Sequence, residues 1–250
     1  MNNIFIYKND SSRVLSLAES LSENANVKMI DGISLFDLLE YQKPSIVFLN
    51  DNTCPKEHVE YAKQDFPETK FVLITETDNN PTEYDLVIHL NDNGQGMFLG
   101  YLANHNFHTE NVSEELKQVY KSDILYISDD YTDNQYILDI IKSLSENYTV
   151  KVYGKKRLKC NSYLGSCNRN DYKNIIGSTN IMLLFDKKLL NTAMLCKKIP
   201  LVYSQTPSNE YEFSDYAQLL DAIKNCKPVG DFKLETYKDF CEKMLQELYK

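Results

Sequence analysis

The feature that most constrains this chain is a repeated alternation of short apolar runs with longer amphipathic stretches. NIFIY (Asn3 to Tyr7), SIVFLN (Ser45 to Asn50), KFVLIT (Lys70 to Thr75) and DLVIHL (Asp85 to Leu90) are four such runs. A short continuous apolar run bounded by polar residues is the pattern of a strand covered on both faces. Between the runs, SSRVLSLAESLSEN places Val14, Leu15, Leu17, Ala18 and Leu21 at helical spacing behind Ser11 or Ser12 as the N-cap. PKEHVEYAKQDF opens with Pro55 in its first turn, and VKMID and SLFDLLEYQ add a further strand and helix. Strands that alternate with helices build a parallel sheet with right-handed crossovers.

NDNGQG (Asn91 to Gly96) interrupts the alternation, and MFLGYLAN after it reads as a short helix. A polar stretch then leads through a helix from Ser113 to about Tyr120 into a second series. DILYIS, TVKVYG, IMLLFD (Ile181 to Asp186) and PLVYS (Pro200 to Ser204) read as strands. TDNQYILDIIKSLSEN, RNDYKNIIGSTN, NTAMLCKK and SDYAQLLDAIKNC read as the helices between and after them, with Thr132 or Asp133 capping the first. KKRLKCNSYLGSCN reads as a loop, and DFKLETYKDFCEKMLQELYK as a long final helix. The expectation is an α/β protein of two Rossmann-like lobes, residues 1–112 and 113–250, with the final helix at 231–250 packing across the lobes.

Charge and composition limit the partners. The net charge of −9 argues against a broad nucleic-acid surface. The N-terminus MNNIFIYKND is too short and polar for a signal peptide, and no apolar run approaches the roughly 20 residues a spanning helix needs. A cytoplasmic protein without membrane contact is expected. The six cysteines are scattered and include no CxxC pair, so reduced thiols are expected and no metal is assigned. His105 and His108 form an HxxH with no further ligand nearby and read as linker. The first lobe has the layout of a phospho-accepting receiver, but lacks the acidic pair after strand one and the lysine ending strand five.

The order of elements resembles glycosyltransferases of the GT-B fold, and the second lobe resembles a CgeB-type or glycosyltransferase family 4-like C-terminal lobe. The resemblance is carried by DILYISDDYTDNQYILDII, by TVKVYG with its Tyr-Gly ending, by DYKNIIGSTNIMLLFD, and by NTAMLCKKIPLVYS against the pattern Glu-Ala-x-Ala-Cys-Gly-x-Pro-x-Val. YEFSDYAQLLDAIKNC and, in the first lobe, KFVLITETDNNPTEYDLVIHLND continue it, so that it covers most of residues 40–226. It implies transfer of a sugar from a nucleotide-sugar donor to an acceptor hydroxyl without a metal or other cofactor, with the donor on the second lobe and the acceptor on the first. The sequence departs from the pattern at three places. Ala193 aligns with the Glu that holds the donor ribose, Lys198 with the Gly, and Ser128 or Asp129 with the glycine after the lobe's first strand.

Candidate residues follow. Lys187 and Lys188 stand before a helix start, where cations and backbone N–H groups suit a diphosphate, and Asn191 and Thr192 would add hydrogen bonds. Ser128, Tyr153, Gly154 and Lys155 lie at the ends of the second lobe's first two strands, Lys155 opening the basic run KKRLK. Asp10 and Asp78, near strand ends of the first lobe, are candidate bases for an acceptor hydroxyl, and His89 is either such a base or a core histidine. Gly94 and Gly96 form a glycine-rich loop suited to receiving an acceptor. Two other readings compete: a GT-B-like module that binds without turnover, and a glycosyltransferase acting on modified nucleic-acid bases. The half-exposed final helix would also suit a homodimer.

Overall fold

The computed structural model describes residues 2–9, 11–51, 53–77, 81–91, 97–107, 112–128, 134–154, 157–168, 171–230 and 234–250. The elements are β1 (Asn3–Tyr7), α1 (Ser12–Leu21), β2 (Asn26–Ile30), α2 (Leu35–Gln42), β3 (Ile46–Asn50), α3 (Lys56–Asp65), β4 (Lys70–Thr75), β5 (Leu86–His89) and β6 (Met97–Phe98). A 3-10 turn (His105–Phe107) and α4 (Glu114–Tyr120) lead to β7 (Ser122–Ser128), α5 (Gln135–Ser145), β8 (Val150–Gly154), α6 (Tyr172–Gly177) and β9 (Thr179–Leu184). The chain closes with α7 (Leu190–Leu195), β10 (Ile199–Tyr203), β11 (Glu212–Phe213), α8 (Tyr216–Asn225) and α9 (Tyr237–Leu248).

The chain divides into two compact units, one of residues 1–102 with 235–250, the other of residues 103–234. The first unit holds a parallel sheet in the order β2-β1-β3-β4-β5-β6. Side chains alternate between its faces as the pleat requires. Ile4, Ile6, Ile46 and Phe48 join α1 and α9 in one core, while Phe5, Tyr7, Val47 and Leu49 join α2 and α3 in another. The second unit's sheet runs β11-β10-β9-β7-β8, also parallel. Ile124, Tyr126, Ile181 and Leu183 pack toward α5 and α8; Leu125, Ile127, Met182 and Leu184 pack toward α6 and α7. In each sheet the order reverses beside the first strand of its unit, which makes the β1/β3 and β7/β9 strand ends the topological switch points.

Three expectations are corrected. The final helix belongs to the first unit, because Tyr237, Phe240, Cys241, Met244 and Leu248 bury its inner face against α1. Its start is fixed by a capping box between Thr236 and Asp239. The chain therefore leaves the first unit near 102, not 112, and returns to it at 235. MFLGYLAN forms no helix; Met97 and Phe98 pair with Ile88 and His89 as an edge strand. The cap of α5 is Asn134, whose Oδ1 accepts the Tyr136 N–H at 3.0 Å; Thr132 and Asp133 lie outside the described residues.

Candidate functional site

At the C-terminal edge of the second sheet, Ser128 ends β7 and pairs with Gly154, which ends β8. A Cβ on Gly154 would lie less than 3.0 Å from the Ser128 carbonyl oxygen, so the two strand ends meet only because residue 154 has no side chain. The Tyr163 hydroxyl donates to the Gly154 carbonyl at 2.8 Å and fixes the turn beyond it. Tyr153 is buried in the core facing α6 and α7, and burial, with Cys167, Tyr120 and Asp171 adding, pushes its phenol up to about 12.

After β9 the Asp186 carboxylate accepts the Lys188 N–H at 2.8 Å, and the Lys187 carbonyl accepts the Leu190 N–H at 3.2 Å. This turn leaves Lys187 exposed and Lys188 half-buried just before α7, a helix with no side-chain N-cap bond. The Glu212 carboxylate is held below its usual range, first by the Ser208 N–H and hydroxyl, with Lys187 contributing a smaller attraction. Five aromatic rings meet at the same strand ends: Tyr126 and Phe185 at 5.4 Å, Phe185 and Tyr203 at 6.0 Å, Tyr203 and Phe213 at 5.8 Å, Tyr136 and Tyr203 at 5.4 Å. Tyr136 stands on the first turn of α5 with its ring partly exposed, and its hydroxyl donates to the Ser214 carbonyl at 3.0 Å.

The α7–β10 joint differs from its sequence reading. Ala193 is completely buried, so the missing carboxylate there removes nothing from a ligand surface. Thr192 is also buried, and its hydroxyl accepts the Asn104 N–H at 3.3 Å; its role is to hold that segment. Asn191 is half-buried. The helix ends in a Schellman motif, with Lys198 N–H on the Ala193 carbonyl at 2.9 Å and Lys197 N–H on the Met194 carbonyl at 3.0 Å. The left-handed residue that favours glycine is Lys197, at φ 55°, and not Lys198. Lys198 instead runs inward to the Gly177 carbonyl at 3.2 Å, and burial lowers its pKa.

In the first unit a hydrogen-bonded chain links the ends of β3, β4 and β5. The Thr75 hydroxyl donates to the Asp51 carboxylate at 2.8 Å and lies 2.8 Å from the Thr77 hydroxyl. The Thr77 carbonyl lies 3.1 Å from His89 Nδ1, which therefore carries the proton. His89 has no exposed surface, so it is a core histidine and not a base open to an acceptor. Arg13 is nine-tenths buried, donates to the carbonyls of Leu90 and Leu99, and lies 4.8 Å over the Tyr101 ring. Asp51, Arg13 and the aromatic group were missed by sequence reasoning. The first two sit where an acid after a strand and an arginine in a helix look like ordinary surface residues, and the rings are far apart in the chain. Asp10, Asp78, Gly94, Gly96, Asp129 and Lys155 lie outside the described residues. Among the described residues no group of three or more His, Cys, Asp or Glu is placed to hold a metal, and no helix is long and apolar enough to cross a membrane.

Neither the scan of protein-family models nor the search of curated proteins finds a match to this chain. Solved structures do match. The UDP-GlcNAc 2-epimerase from Methanocaldococcus jannaschii is similar with a TM-score of 0.58 at 9% identity, over 99% of this chain and 99% of that one. The UDP-N-acetylglucosamine 2-epimerase from Rickettsia bellii is similar at 0.55 with 11% identity, over 100% and 96%. An alpha1,3-fucosyltransferase solved with GDP is similar at 0.51 with 11% identity, over 99% and 89%. At these identities the likeness is one of fold. The chain has a GT-B-like fold, with two parallel sheets covered by helices.

Proposed function

We propose that this chain binds a nucleotide-sugar on its second unit and transfers the sugar to an acceptor hydroxyl without a metal. The observation that carries the reading is the C-terminal edge of the second sheet. There Lys187 and Lys188 follow β9, the strand next to β7, whose end Ser128 pairs with Gly154 of β8, and Phe185 just before them belongs to a partly exposed aromatic group, on a fold whose solved examples include a fucosyltransferase holding GDP. Ligands of open parallel sheets bind outside the carboxyl ends of the strands.

In this reading Lys187 and Lys188 attract the donor diphosphate and stabilise the charge it gains on leaving. Asn191 and Lys155 add polar contacts, and Ser128, Tyr153 and Gly154 shape the floor. The acceptor oxygen forms a bond to the sugar's anomeric carbon as the bond from that carbon to the diphosphate breaks. The acceptor proton passes to a carboxylate of the first unit, with Asp10 and Asp78 the proposed bases and Gly94 and Gly96 receiving the acceptor. Thr192 is withdrawn from the donor set, because its hydroxyl is committed to Asn104. That commitment favours a second reading, a module that binds the nucleotide without turnover.

Incubation with a panel of nucleotide-sugars, followed by phosphorus NMR for released nucleoside diphosphate, separates the two. Release from one donor, lost in Lys187→Ala/Lys188→Ala, supports transfer. Donor binding without release supports the module.

A further inference from the structure

The first unit carries a pocket at its sheet edge that the donor reading does not use. β6 pairs with β5 only at Ile88 and His89. Beside Leu86 and Val87 the sheet therefore has no further strand among the described residues. A strand continuing there would have covered this edge and met α9. Instead α9 faces it with Phe240, Lys243 and Glu247, which recur at helical spacing along one side. The space left is an open pocket of about 680 Å³, with Leu86, Val87, Met97, Phe98 and Phe240 giving it its apolar lining. Leu86 and Met97 pack against the core that α9 shares with α1, and Phe98 is 42% exposed. Pockets of roughly 300–1,000 Å³ with a mainly apolar lining are the size that takes a small organic ligand.

The charges around the pocket decide the kind of ligand, because they are already paired. Lys243 donates to the Glu235 carboxylate at 2.6 Å, and Lys250 pairs with Glu247. Asp85 accepts the Phe71 N–H at 2.8 Å and lies 3.1 Å from Lys63. An entering anion would meet the carboxylates of Asp85, Glu235 and Glu247 and an ammonium, Lys243, that is already committed. An entering cation would have to displace a partner that one of those carboxylates already holds. A charge buried without a partner is costly. The occupant that fits is uncharged.

We propose that this pocket binds an uncharged small molecule with an apolar body, seated between the β5–β6 edge and α9. The site goes beyond the donor reading and does not rest on it, since its residues all lie in the first unit.

The test uses the full chain and two dyes that share one body. N-phenyl-1-naphthylamine is uncharged, and 8-anilino-1-naphthalenesulfonate adds a sulfonate; both gain fluorescence in apolar surroundings. Saturable binding of the uncharged dye is expected, with the sulfonate weaker by about tenfold or more. Phe98→Ala removes an aromatic wall that is already 42% exposed, so the melting temperature should change little. Affinity for the uncharged dye should fall by about fivefold or more. Hydrogen exchange locates the dye without a variant: amides in 85–87, 97–98 and 240–247 should slow when it binds. Lys187→Ala/Lys188→Ala should bind it as the wild type does. Binding that does not saturate, slowed exchange confined to other segments, a sulfonate bound as tightly, or an affinity unchanged in Phe98→Ala overturns the proposal.

Discussion

Replacing Gly154 with alanine should damage the second unit out of proportion to one added methyl group. Its Cβ would fall within 3.0 Å of the Ser128 carbonyl oxygen, whereas ordinary contacts begin near 3.4 Å. The partner is backbone, at the end of a strand paired in register with residue 154, so several tenths of an ångström must come from moving β7 against β8. In tightly packed sites such intrusions cost about 1–3 kcal/mol. A middle value of about 2 kcal/mol applies here. For a unit of roughly 130 residues, an unfolding entropy of about 2 cal/mol/K per residue converts this to a fall of about 7 °C in Tm. Gly230→Ala is the control, since a Cβ there meets nothing within 4 Å and φ is not left-handed. It should be neutral or slightly stabilising. Differential scanning calorimetry of the two variants decides the matter. A Gly154→Ala protein that melts with the wild type would refute the close approach, and with it the explanation of how these strand ends are shaped.

Other expectations are as direct. Lys197→Gly relieves a left-handed lysine at the C-cap of α7 and should stabilise the protein by about 0.5–1 kcal/mol, read by urea denaturation. Met244→Ala, in the core that α9 shares with α1, should cost about 2–5 kcal/mol and destabilise the first unit, whose protected amides would exchange faster. Burial holds the phenols of Tyr7, Tyr84 and Tyr153 at about 12. Folded pKa values above the unfolded ones favour the protonated form, so this stability is fully present below about pH 10 and is lost as the pH rises toward about 12. A pH series of melting temperatures should therefore fall through that window.

The fold was legible where apolar runs announce strands covered on both faces, as in SIVFLN and IMLLFD, because burial on two sides leaves no room for polar residues. β6 and β11 were not legible. Each is two residues long at a sheet edge and has no periodicity to read. The home of α9 was hidden because an amphipathic helix shows that it packs, not against what. Alignment also misled at the α7–β10 joint. Ala193 was matched to a ligand-facing carboxylate but points into the core, and the left-handed position fell on Lys197, a residue type that gives no sign of that conformation. His89 shows the same limit: the buried reading, already open from its apolar strand, is settled by its lack of exposure.

The central claim is that the second unit holds the nucleotide of a nucleotide-sugar, with Lys187 and Lys188 facing its diphosphate. Calorimetric titration with a panel of nucleoside diphosphates and their sugars tests it most directly, with Lys187→Ala/Lys188→Ala alongside. Micromolar binding of one nucleotide is expected, and its loss in the double variant, with the melting temperature of the protein unchanged. No binding to any member of the panel at millimolar concentration, or equal binding by the double variant, would contradict it.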